Sequence, residues 1–149
     1  MPKTDTEDKD PLDTELALER LGTALPLQLR SAAAFTIAAG SMTGFQYLGM
    51  SDLLWRFAAA DLEDARRLVE KIVTLGGRPA DGVPAFELPA GGDGIVARLI
   101  EFETEAIEAL QSTIPATGHT GDSEALEHRL EHTIMRKQEQ VDTLLRASR

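Results

Sequence analysis

The sequence contains no cysteine. Disulfides, thiolate chemistry and zinc–cysteine sites are therefore excluded. Positive charge is scarce: 15 Lys and Arg stand against 25 Asp and Glu, a formal net charge of −10. That balance argues against a nucleic-acid surface, which normally carries a basic patch. Long apolar runs are missing too. No stretch is long enough to span a membrane, and the N-terminus lacks the apolar core of a signal peptide, so a cytoplasmic location is the default expectation. No strand pattern rivals the helical periodicity described below. What remains is ordinary for a globular protein: 149 residues, 42% apolar and 27% charged, enough for one domain with a sizeable core.

Residues 1–12 are polar, acidic and proline-containing, and read as a disordered acidic tail. Four helical patterns follow over residues 13–147. The first begins at Asp13 and places Leu21, Leu25, Gln28, Ala32 and Phe35 on one face. Pro26 inside it is expected to kink the helix or divide a short leading helix from the main one. The second is expected to start at Ser51 or Asp52, both good N-caps, and to end near Leu75, where Gly76, Gly77 and Pro79 stop it. Residues 76–93 form a long Gly- and Pro-rich loop. Its length suits a crossover from one end of a bundle to the other. The third helix runs from about Gly94 to Ser112, and the fourth from about Asp122 to Ala147. Four helices with a long crossover between the second and third describe an all-α, ferritin-like four-helix bundle.

The apolar stripes carry six polar residues. Asp61 and Asp64 lie between Phe57 and Leu68, Glu103 between Ile100 and Ile107, and Lys137 between Ile134 and Val141. Gln140 sits at the edge of that last stripe, and Gln28 between Leu25 and Ala32. Two carboxylates one turn apart, facing a core, need a cation, a metal or shared protons. Among the remaining candidates, His128 and His132 stand at metal-ligand spacing (i, i+4) but opposite the stripe, and read as a solvated pair. Phe45, Tyr47, Trp55 and Phe57 read as core or dimer contacts.

Over residues 15–145 the chain resembles the bacterioferritins. The segments that carry the resemblance are Asp61–Pro79, Phe102-Glu-Thr-Glu-Ala106 and Val141-Asp-Thr-Leu144. The resemblance places Gln28 at the family's first-helix Glu, and Asp61 and Asp64 at the Glu and His of its second helix. Glu103 falls at the third-helix Glu, and Lys137 and Gln140 at the Glu and His of the fourth. Only Glu103 keeps the family's residue type. Both His ligands are replaced, and an ammonium stands where a carboxylate is needed, so the di-iron centre is read as lost or reduced. Leu62 stands where haem-binding members carry an axial Met, so no haem is expected. No segment resembling the family's short fifth helix follows the fourth.

Two readings of function follow. The first is a ferritin-like binding or structural protein in which Lys137 supplies the charge that metal would bring, without ferroxidase activity. The alternative is an iron-binding or other divalent-metal protein engaged in iron handling or oxidative protection. Its single ion would be held by Gln28, Asp61, Asp64, Glu103 and Gln140. The resemblance and the small residues of the first helix imply a homo-oligomer built on an antiparallel dimer. A further protein partner has no specific signal, and neither nucleic acid nor membrane is expected as a partner.

Overall fold

A computed structural model describes residues 11–116 and 118–149. Four long helices make up most of it: α1 (Thr14–Ser41), α2 (Met50–Thr74), α3 (Gly92–Gln111) and α4 (Gly121–Ala147). Short 3-10 turns at Phe45–Tyr47 and Ile114–Ala116 lie in the first and last connections, and no strand occurs among the described residues. No helix among them is long and apolar enough to cross a membrane. The acidic tail expected over residues 1–12 lies outside the described residues, apart from Pro11 and Leu12. Leu12 is buried beside Leu21, Leu110 and Leu126 and belongs to the core, not to a tail.

Local chemistry explains most of the boundaries. Asp13 caps α1, its side chain accepting from the Leu16 N–H at 3.1 Å. Pro26 does not divide α1, which runs through it unbroken. The carbonyl that loses its donor there belongs to Gly22, which is exposed, so water can serve it, and the buried Leu21, Ala24, Leu25 and Gln28 hold the helix on both sides. Helix α2 begins at Met50, earlier than its polar residues Ser51 and Asp52 suggest, because Met50 is drawn into the core. It ends in a Schellman motif: the Gly76 N–H donates to Val73 and the Gly77 N–H to Ile72, with Gly76 at φ +87°. Gly77 also lies so close to Leu18 that a Cβ there would sit 2.6 Å from its methyl.

These contacts fix the topology. The end of α2 meets the start of α1 through Gly77 and Leu18. The start of α3 meets the far end of α1, where Tyr47 lies against Gly92. Residues 75–91 therefore travel the length of the bundle, with Phe86 packed edge-on against Phe102 at 5.6 Å. The Asp13 N–H donates to the Ala116 carbonyl at 2.9 Å and returns the end of α3 to the start of α1. The apolar core forms two clusters. One gathers Leu21, Leu25, Leu68, Leu110 and Leu130, and the other Phe35, Met50, Leu54, Leu99 and Leu144. Between them lies a polar layer.

Candidate functional site

All four helices contribute to that layer. Gln28, Asp61, Glu103 and Lys137 are fully buried, and Asp64 and Gln140 nearly so. On α2, Asp61 and Asp64 share a face with Ala58, Ala65 and Leu68, so the same periodicity that buries the apolar residues carries the carboxylates inward. On α3, Glu103 is flanked by the buried Leu99, Phe102, Ala106 and Ile107. Glu101, Glu105 and Glu108 on the same helix are exposed.

The six side chains meet. The Lys137 ammonium donates to Glu103 Oε1 at 2.6 Å and to Asp61 Oδ2 at 3.3 Å. The Gln140 amide donates to Asp61 Oδ1 at 3.1 Å and to Glu103 Oε2 at 2.8 Å. Gln28 Nε2 donates to the backbone carbonyl of Asp61 at 2.9 Å and so braces α2 from α1. Gln28 Oε1 and Ser31 Oγ, one turn apart on α1, are buried with no hydrogen-bond partner among the described residues.

Pattern reading missed a seventh member, Arg136. Its Nε donates to Asp64 Oδ2 at 2.8 Å and one terminal nitrogen to Asp61 Oδ1 at 2.8 Å, and it also contacts Gln140. The side chain is 22% exposed, so it enters the layer from the surface between α2 and α4. The signal in the sequence was electrostatic: three carboxylates against Lys137 alone leave two charges uncompensated, and Arg136 is the adjacent cation.

The electrostatics follow from burial and pairing. Burial alone would raise the Asp61 carboxyl. Lys137, a hydrogen bond from Glu103 and the Arg136 guanidinium outweigh it and hold Asp61 below the usual range. Glu103 goes the other way. Burial first, opposed by Lys137 and reinforced by the Asp61 charge, pushes it up to about 8. At neutral pH Glu103 therefore keeps its proton, and two carboxylates face two cations. Burial disfavours the Arg136 charge as well, but Asp61 and Asp64 more than compensate and raise it.

Outside the layer, His128 and His132 are exposed. Phe45 and Trp55 are exposed at 94% and 57% and are not core residues of this chain. Phe57 is half-buried, edge-on to Phe35 at 5.7 Å. Arg30 stacks over the Phe102 ring at 4.0 Å and pairs with Glu105 at 2.5 Å.

Both oxygens of Asp61 and of Glu103, and Oδ2 of Asp64, already accept from a nitrogen of Arg136, Lys137 or Gln140. A metal ion entering the layer would have to displace these donors and then lie beside two buried cations. Among the described residues, no group of three or more His, Cys, Asp or Glu side chains is placed to hold a metal ion.

No family model matches the chain, and no curated protein matches it by sequence. Solved structures do. One, a crystal structure described as "ferritin like, diiron-carboxylate proteins" from Bacillus anthracis str. Ames, superposes with a TM-score of 0.85. The match covers 92% of this chain and 98% of that one at 18% identity. The architecture is thus that of the ferritin-like four-helix bundles. At this identity the likeness establishes the fold, and function has to be argued from the site.

Proposed function

We propose that this chain is a ferritin-like bundle whose central site has been rebuilt as a metal-free ion-pair layer, and that it serves as a binding or assembly protein without ferroxidase activity. One observation carries the reading: the Lys137 ammonium, fully buried, lies 2.6 Å from Glu103 and 3.3 Å from Asp61. An ammonium there occupies the space between the carboxylates that a cation would need, and its charge repels one. Arg136 does the same between Asp61 and Asp64. A di-iron centre of the kind named for the similar structure does not fit this donor set. Two irons held for oxidation by dioxygen need several carboxylate or imidazole ligands free to bind. Here no imidazole faces the layer, and Glu103 is protonated at neutral pH.

The competing reading is an iron-handling protein. Stopped-flow absorbance after mixing ferrous iron with the aerobic protein separates the two. The expected result is oxidation no faster than in buffer, with no metal retained after purification. A fast, saturable phase near two irons per chain would establish the competing reading.

A further inference from the structure

Lys137 and Glu103 carry the two groups from which an amide is made. Nζ of Lys137 lies 2.6 Å from Oε1 of Glu103, and neither side chain is exposed. The residues are 34 positions apart, on α4 and α3, so the fold and not the local chain makes this contact. The carboxyl carbon is one bond beyond Oε1, within reach of Nζ after a small turn of the lysine chain. An amine and an acid held in this way meet as if at very high concentration, which removes much of the entropic barrier to joining them.

Condensation needs three further things: a carboxyl that is not ionised, a donor to its oxygen, and a base for the amine. The layer has all three. Glu103 keeps its proton at neutral pH and is hydrogen-bonded to Asp61. Gln140 Nε2 donates to Glu103 Oε2 at 2.8 Å, where negative charge develops when the amine adds. Asp61 Oδ2 accepts from Nζ at 3.3 Å, the position of a base. Gln140 and Arg136 both bond Oδ1 of the same carboxylate and so fix its orientation. Asp61, Glu103 and Lys137 are fully buried, which keeps out the bulk water that would compete with the amine and hydrolyse the product.

We propose that Lys137 and Glu103 join in an intramolecular isopeptide bond, with Asp61 as the base and Gln140 as the donor to the oxyanion. Asp61 takes one proton from the ammonium. The freed lone pair of Nζ attacks Cδ of Glu103, and the bond from Cδ to Oε1 breaks. Oε1 leaves as water with the carboxyl proton and a second proton from the nitrogen, and the third nitrogen proton stays on the amide. An ammonium and a carboxylate thereby become a neutral amide and a neutral acid, which relieves the cost of burying charge and favours the product. The bond ties α3 to α4 and uses up two members of the layer, so it makes the metal-free state permanent. It rests on the metal-free reading, because an ion at Asp61 and Glu103 would displace the amine. Lys137 is an ammonium in the resting ion pair, so the step is slow, and the freshly folded chain is the unlinked one.

The test is intact mass spectrometry of the full chain, freshly purified and after several days at neutral pH. The mass should fall by one water. Trypsin locates the loss. The unlinked chain is cut after Lys137, whereas the linked chain gives a branched peptide joining residues 99–129 to residues 137–146. Asp81 and Asp93, each followed by glycine, can also lose water by cyclising to succinimides, which hydroxylamine cleaves and an amide survives. Asp61→Asn keeps the shape of the side chain without the base and should stay at full mass, with its fold checked by far-UV circular dichroism. A wild type that keeps its full mass and is cut throughout at Lys137 overturns the proposal, as does a water loss that maps to Asp81 or Asp93. A branched peptide that forms as fast in Asp61→Asn overturns the role of Asp61. The wild-type peptide map decides whether the bond forms even where Asp61→Asn does not fold. Iron turnover is measured on the same sample: an inert, full-mass protein refutes the bond alone, and rapid iron oxidation refutes the metal-free reading beneath it.

Discussion

Lys137 and Glu103 decide how the centre of the molecule responds to pH. Glu103 ordinarily titrates at 4.5 and is pushed up to about 8 in the fold, so the folded chain holds this proton more tightly than the unfolded chain. Its contribution to stability is fully present below 4.5 and is lost as pH rises through about 8. Asp61, held below its ordinary 3.8, contributes the opposite dependence: stability present above 3.8 and lost as pH falls further. Urea denaturation should therefore find the protein more stable at about pH 5 than at about pH 9, with a decline in stronger acid. Lys137→Met removes the ammonium and leaves buried carboxylates uncompensated, at a cost of about 3–5 kcal/mol at neutral pH and above. The loss should grow as pH rises through about 8, where Glu103 gives up its proton and adds a further uncompensated charge. A mutant as stable as wild type at neutral pH would show that Lys137 is not the counter-ion of the layer. The six converging residues were legible because helical periodicity fixes where a Cα lies around the axis. Arg136 was not, since its Cα is at the stripe's edge and only its long side chain reaches back to Asp61 and Asp64.

At the scale of helices, the stripes that bury Leu25, Leu68, Leu99 and Leu130 also predict which segments are helical, so element type and order were readable. Ends were less so. The starts of α2, α3 and α4 follow Gly49, Gly91 and Thr120, none with a side-chain capping bond, so the polar residues just inside α2 and α4 attract the prediction, and α3 is read as starting at Gly94, two residues late. Of the two effects expected of Pro26, division of the helix does not occur, because tertiary packing on both sides of it outweighs the local penalty. That penalty is still present in the folded chain. Pro26→Ala restores an N–H to the Gly22 carbonyl, while giving up some restriction of the unfolded chain. The expected net gain is about 1–2 kcal/mol, read as a higher urea midpoint with unchanged slope. An unchanged or lower midpoint would mean that the proline ring's own packing, half-buried in α1, outweighs the missing hydrogen bond.

For the molecule as a whole, two populations of charge behave differently. The ion pairs of Asp61 and Asp64 with Arg136 and Lys137 are buried or partly buried, and dissolved salt screens them only weakly. They also join α2 to α4, whose backbones approach closely at few positions, so they hold the bundle together across its middle. The exterior carries the net charge, concentrated as acid on α3 and α4. Surface pairs such as Arg66 with Glu63 and Glu70, or Arg98 with Glu101, are exposed on both sides and contribute little. Repulsion between the exposed acids is thus the main electrostatic term that salt can alter, and screening it favours the compact state. Raising sodium chloride from about 10 mM to about 300 mM shortens the Debye length from about 30 Å to about 6 Å. The melting temperature should rise by a few degrees and then level off, because the buried layer is left intact. A melting temperature that falls with salt would assign the stabilising electrostatics to the exposed pairs instead.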